Sequence, residues 1–252
     1  MSPVREVLVV YAVVAIVTGA LGAARALPWA GDVVALGIAG VFLGAALTMA
    51  RRVAGGAARL GIELGGLLEP AEADDRPPGP LGLYDLGRTV RAALPSGLRE
   101  VVFALSVAAI VFPPFVLGFW LWHGATSPAA MHPFVWRWPA DFASFVISQI
   151  VIVGLPEEAL FRGYVQTRLG DRWTSTSRVL GADLSIRAWI LQSALFALIH
   201  LATEPSVEKL AVFFPGLLFG WMRARRGGIG ASIVMHAASN VLAEILVTGW
   251  LA

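Results

Sequence analysis

Apolar residues run through this chain in long stretches separated by polar ones, and most of the stretches are of membrane-spanning length. Runs at residues 7–24 and 28–50 form a first pair. A third, 101–122, contains Pro113 and Pro114, which predict a kink because neither can donate a backbone hydrogen bond. A fourth runs from 140 to about 164, a fifth from 188 to 202, a short proline-containing sixth from 207 to 222, and a seventh from 229 to 252. A helix needs ~20 largely apolar residues to cross a bilayer. The pattern therefore predicts an all-α fold, a polytopic transmembrane helical bundle of about seven spans, or eight if one more hides in the long polar segment. That segment, residues 51–99, has an acidic, proline-rich centre at 69–80 that reads as a flexible loop, and a flank at 81–94 suited to a short interfacial helix. The chain divides into an N-terminal part, residues 1–100, made of a membrane helix pair and a polar cytoplasmic loop, and a membrane-embedded core, residues 101–252. No internal repeat of the transporter kind is visible.

Composition strengthens the membrane reading. Of 252 residues 57% are apolar and 14% charged, and mean hydropathy is +0.73. A soluble domain carries about 25% charged residues and could not hide this much apolar surface. The formal charge is only +2 and the basic residues are scattered, so no nucleic-acid footprint is expected. With no cysteine, disulfides, thiol catalysis and cysteine-based metal sites are excluded. The first apolar run lacks a small-residue cleavage site and reads as a span rather than a signal peptide. Arg51, Arg52, Arg59, Arg168, Arg172, Arg178, Arg187, Arg223, Arg225 and Arg226 all fall on one side of a seven-span arrangement, against Arg25, Arg137 and Lys209 on the other. The positive-inside rule then predicts a multi-pass protein of the cell (inner) membrane with its N-terminus in the cytoplasm.

Ionisable groups inside such helices cost about 2.5–3.5 kcal/mol each, so the few that occur call for a reason. Glu157, Glu158, His200, His236 and Glu244 stand out, with Arg162 and Asn240 close to them in sequence. Glu158 and Arg162, four apart, share a helix face and can pair, while Glu157 projects about 100° away. His236 and Asn240, also four apart, can point at one cavity. Taken singly, each has a plain structural reading: a membrane-edge ion pair, a packing histidine, an interhelical hydrogen bond. Depth argues for more. At 1.5 Å per residue, His236 lies about 12 Å into its span, His200 roughly 18 Å into its own, and Glu157 on the order of 10 Å from the cytoplasmic end. All three are thus expected in the cytoplasmic half of the bilayer or near its middle, and Glu244 further out.

A carboxylate and an imidazole around one water can activate it, and a second imidazole with an amide can donate to an oxyanion. The same groups, Glu157, His200 and His236, would be the ligands if a divalent metal such as zinc activated the water instead. The familiar His-Glu-x-x-His spacing is absent, and spacing alone leaves both options open.

Glu157-Glu158-x-x-x-Arg162, Phe196-x-x-x-His200 and His236-x-x-x-Asn240, in this order on separate apolar helices, resemble the motifs of the CAAX-protease and bacteriocin-processing family, the Rce1-like glutamic-type intramembrane proteases. The resemblance covers residues 140–251. It implies an intramembrane endopeptidase that cuts near the C-terminus of a membrane-associated protein or peptide, by CAAX-type or sorting-tail processing. Glu157 and His200 would activate the water, His236 and Asn240 would stabilise the oxyanion, and Glu158 and Arg162 would shape the site. A membrane transporter or proton pathway, and a non-catalytic bacteriocin-immunity protein, are the competing functions for the same residues. The Ala-, Gly- and Arg-rich, Lys-poor composition points to a GC-rich bacterial genome, where a prenylated substrate is less expected.

Overall fold

The structure is a computed structural model that describes residues 1–24, 31–62, 83–203 and 205–251. The acidic centre of the polar segment, expected as a flexible loop, lies outside the described residues, as does Arg25. The described residues form helices α1 (Pro3–Ala23), α2 (Gly31–Ala50), α3 (Gly56–Leu60) and α4 (Leu83–Thr126). A long helix, α5 (Phe142–Arg172), follows, then a small antiparallel hairpin of β1 (Ser177–Val179) and β2 (Ala182–Leu184). Helices α6 (Ile186–Thr203), α7 (Phe213–Arg226) and α8 (Gly230–Trp250) complete it. The expected all-α membrane bundle is what forms.

Local chemistry sets several of these boundaries. Ser2 caps α1 by accepting from the Arg5 N–H at 3.4 Å, and Pro3 follows in the first turn, where a missing N–H costs nothing. Helix α7 stops at Gly227, whose φ of 81° suits the left-handed turn that ends a helix. Helix α4 absorbs the flank expected as a separate interfacial piece and keeps helical backbone through Pro95, Pro113 and Pro114.

Among the described residues six helices are long and apolar enough to cross a membrane: Pro3–Ala23, Val33–Ala50, Ala93–Thr126, Phe142–Arg172, Ile186–Thr203 and Gly230–Trp250. The expected sixth run, 207–222, is instead a 3-10 turn at Val207–Val212 followed by α7, whose 14 residues do not meet that length. Outward-facing side chains are apolar, Ile110 being 75% and Ile16 72% exposed, a surface that lipid rather than water covers.

The helix ends sort to two faces. At one, Glu6 of α1 accepts from Arg168 (2.9 Å) and Tyr164 (3.1 Å) of α5, Asp171 of α5 pairs with Arg59 beyond α2, and Glu100 of α4 pairs with Arg226 of α7 (3.0 Å). This face holds the arginine-rich connections. At the opposite face, Gly22 of α1 packs on Thr203 of α6, and the His132 and Val135 N–H groups donate to Trp250 and Gly249 of α8. There Phe119, Phe134, Trp136, Trp138, Phe142 and Trp250 form a chain of ring contacts, as interfacial aromatics do.

The largest core joins both halves of the chain. Val7 and Val14 of α1 and Phe42, Ala46 and Met49 of α2 pack with Phe161 and Tyr164 of α5, Phe196 of α6 and Ile233 of α8. At the basic face Gly61 closes this core against the turn after α7. Its φ is 67°, and a Cβ would lie 2.8 Å from the Gly227 oxygen and 2.9 Å from Gly228 Cα. Gly61→Ala is expected to lose about 2–4 kcal/mol from left-handed strain and overpacking. Thermal unfolding in detergent should show a lower midpoint, with Gly118→Ala, whose Cβ would meet nothing, unchanged.

Candidate active site

Helix α5 is not a uniform α-helix. Residues Phe142–Ser148 are α-helical, Gln149–Gly154 form a π turn, Leu155–Glu158 a single α turn, Ala159–Val165 a second π turn, and Gln166–Arg172 return to α. Pro156 gives a reason for the first widening: it has no N–H to donate, and its ring crowds the carbonyl four residues back. The two carboxylates therefore sit on a short α turn between two wide ones, a backbone irregularity that favours functional positions.

Glu158 and Arg162 are both fully buried. Glu158 Oε1 accepts from Arg162 Nη1 at 2.9 Å and also lies 2.9 Å from His236 Nδ1 on α8. One carboxylate oxygen thus joins an arginine and a histidine from different helices. Arg162 reaches further, donating from Nη2 to the Gly216 carbonyl of α7 at 3.4 Å. Two phenylalanines flank both the Arg162 guanidinium and the His236 imidazole. The Arg162 guanidinium lies 4.0 Å from the Phe196 ring centre and 5.1 Å from that of Phe219. The His236 ring stacks on Phe219 at 5.1 Å and meets Phe196 edge-on at 6.1 Å.

With Nδ1–H given to a carboxylate, the Nε2 of His236 faces the other carboxylate, at 3.8 Å from Glu157 Oε2. That gap is too long for a direct hydrogen bond, and one water can touch both atoms from beside the line joining them. Glu157 Oε2 is buried and has no hydrogen-bond partner. The Glu157 side chain borders a cavity of about 220 Å³, also lined by His200, Thr18, Phe42, Thr203 and Lys209 among others. His200 Nδ1 sits 2.7 Å from the Phe196 carbonyl, which can only accept, so the proton is on Nδ1 and Nε2 is left as an acceptor. Asn240 is held differently: its Nδ2 donates to Gln149 Oε1 at 2.7 Å, across to the first π turn.

The structure thus brings Glu157, Glu158, Arg162 and His236 into one polar cluster and puts His200 on the cavity that Glu157 borders. It ties Asn240 to Gln149, and Glu244 makes no described contact with the cluster. The length of α5 differs from expectation. Because α5 continues to Arg172, Glu157 stands at its midpoint, and His200 is one turn from the end of α6 remote from the basic face. A midpoint position agrees with the expectation of the middle of the span; what differs is the distance to the helix end, because the polar residues after Tyr164 do not end the helix.

Sequence reading missed several participants. Phe219 and Gly216 lie in an apolar run with no signal of their own. Thr18, Ile38 and Phe42, from α1 and α2, wall the cavity although the N-terminal half carries no motif. Gln149 had a legible signal, an amide inside an apolar span. Among the described residues no group of three His, Asp or Glu side chains is arranged to hold a metal ion.

Residues 139–242 match the family model for a type II CAAX prenyl endopeptidase, Rce1-like. No curated protein and no solved structure matches the chain. The matched segment holds Glu157, Glu158, Arg162, His200, His236 and Asn240, and it corresponds to most of the stretch on which the sequence resemblance rests.

The two glutamates should respond differently to neutralisation. Glu158→Gln leaves the Arg162 guanidinium buried without its counter-charge and is expected to cost about 3–5 kcal/mol. Glu157→Gln breaks no direct hydrogen bond and should leave the thermal midpoint in detergent nearly unchanged. Equal midpoints for the two variants would mean that the ion pair does not hold the site together.

Proposed function

We propose that this chain, with an Rce1-like domain over residues 139–242, is an intramembrane endopeptidase that hydrolyses a peptide bond near the C-terminus of a membrane-associated protein or peptide, with Glu157 as the base that activates water. The observation that carries this reading is the buried, unpartnered Oε2 of Glu157, 3.8 Å from an imidazole nitrogen and bordering a cavity shared with a second histidine. A carboxylate left so in an apolar interior is costly unless it has work to do.

The roles follow from the donors and acceptors. A water between Glu157 and His200 would donate one proton to Oε2 and the other to the acceptor Nε2 of His200. Its oxygen adds to the substrate carbonyl carbon as Glu157 takes the first proton. The carbonyl oxygen becomes an oxyanion, and His236 and Asn240 supply hydrogen bonds to it. With Nδ1 on Glu158, His236 can donate from Nε2 only as an imidazolium. Asn240 Nδ2 has two N–H groups, and Gln149 occupies one, leaving the other for the oxyanion. Collapse of the tetrahedral species breaks the C–N bond as the proton on Glu157 passes to the leaving amine. Protein groups account for every proton in this scheme, and no step is routed through a metal ion.

The substrate is to be found by comparing the C-termini of the membrane proteome in cells with and without this chain. Against a substrate so identified, Glu157→Gln should lower kcat by at least ~1,000-fold, because it removes the base. Asn240→Ala should lower it by about 100–1,000-fold, the cost of one oxyanion donor. Both variants should insert and fold normally. Cleavage by Glu157→Gln at the unaltered rate would overturn the mechanism.

A further inference from the structure

We infer that the cavity is entered from the face opposite the arginine-rich connections, the non-cytoplasmic side, so that the substrate presents its scissile segment outside the cytoplasm. The substrate part of this inference rests on the proteolytic reading above; the side of entry does not.

The residues around the cavity are placed asymmetrically. Thr18 lies in the last two turns of α1, Ala35 and Ile38 in the first turns of α2, and Thr203 is the last residue of α6. Lys209 belongs to the turn between α6 and α7. These are the helix ends gathered at the face remote from Arg59, Arg168 and Arg226, where Gly22 packs on Thr203. Towards the basic face the way is filled. Phe42 packs on Phe161 at 6.0 Å and Phe161 on Phe196 at 5.2 Å, with Leu160, Arg162 and Tyr164 buried to 2% exposure or less. A second cavity, of about 230 Å³, lies on the basic side and reaches Arg162, but neither Glu157 nor His200 lines it, and among the described residues the closely packed side chains just named lie between. Glu157 and His200 are therefore reached from the far side.

Charge identifies that side. Of 19 Lys and Arg residues, the described far connections carry Arg137 and Lys209, while the basic face has Arg51, Arg52, Arg59, Arg168, Arg172, Arg178, Arg187, Arg223, Arg225 and Arg226. Basic connections stay in the cytoplasm. The cavity then opens to the exterior or periplasm. A peptide segment on that side of the membrane can enter it, whereas a tail in the cytoplasm meets the packed face.

The chain has no cysteine, so single cysteines can be introduced without a background. Val207, 81% exposed, marks the cavity side, and Leu180, 82% exposed at the hairpin, marks the basic side. In intact cells a membrane-impermeant maleimide should label Val207→Cys as fully as in permeabilised cells. Leu180→Cys should be labelled at least tenfold less until the cells are permeabilised. Thr203→Cys, on the cavity wall, should react in intact cells with a small charged thiosulfonate. The reverse pattern, labelling of both markers in intact cells, or reaction of Thr203→Cys only after permeabilisation would each overturn the inference. The same labelling in a Glu157→Gln background should be unchanged. Loss of cleavage there tests the proteolytic reading, and the labelling pattern tests sidedness independently of it.

Discussion

The buried contact between Glu158, Arg162 and His236 is the constraint on which the site depends. Taking two charges out of water costs several kcal/mol per ion, and their attraction repays this only when the geometry is good and the remaining hydrogen-bonding groups are met. Here the geometry is good but the groups are only partly met: Glu158 Oε1 accepts at 2.9 Å from Arg162 and contacts His236 at the same distance, and Arg162 also holds the Gly216 carbonyl, while Glu158 Oε2 and Arg162 Nε have no hydrogen-bond partner. One ion pair thereby fastens α5 to α7 and α8. The rings of Phe196 and Phe219 lie against both the guanidinium and the imidazole, so α6 is fixed by the same cluster. A helix shift that broke the pair would leave a bare charge in an apolar interior, which gives this arrangement a rigidity that apolar packing alone would not. The orientation of His236 is a by-product: with Nδ1 against Glu158, only Nε2 is left to face Glu157.

The second constraint is the backbone of α5. On a regular α-helix two adjacent glutamates point about 100° apart, which separates them but does not say where either points. The π turns at Gln149–Gly154 and Ala159–Val165 reset the register before and after the pair. Glu158 falls inside the bundle against Arg162, while Glu157 falls at the cavity edge. The wide turns also place Gln149 within 2.7 Å of the Asn240 amide, so the irregularity positions a residue on α8 as well.

Much of this was legible in the sequence, for definite reasons. Apolar runs of spanning length have one stable solution in lipid, the helix, because every backbone group must be satisfied within the segment. The number and placement of the long helices therefore came close to expectation. The i, i+4 spacing of Glu158 and Arg162 foretold their ion pair, since neighbours on a helix face need no tertiary information. Three features were not legible. Partners of Arg162 and His236 such as Phe219 are ordinary apolar residues until the fold brings them together. The walls built by Thr18, Ile38 and Phe42 come from α1 and α2, which share no motif with the rest. The length of helix beyond Glu157 is the third: the polar residues after Tyr164 suggest the end of a span, while α5 continues to Arg172 with Arg168 paired to Glu6 and Asp171. Ion pairs at a membrane edge let a helix extend past its apolar run, and pairing across long sequence distances leaves no local signature.

The charge count of the cluster bears on why hydrolysis suits this setting. In the proposed reactive state Glu157 and Glu158 are carboxylates and Arg162 and His236 are cations, so the cluster is neutral overall. When water adds to the substrate, Glu157 gains a proton and the negative charge reappears on the oxyanion. Charge moves from one side of the His236 imidazolium to the other without being created or lost. Creating a new charge in a low-dielectric interior would be expensive, whereas moving one within reach of a fixed cation costs far less, and the donors are already oriented when the charge arrives. Glu158 and Arg162 contribute without touching the substrate, because they keep that cation in place and balanced throughout. The arrangement needs both glutamates, one to carry the moving charge and one to hold the fixed one, and this gives the adjacent pair in α5 a chemical reason.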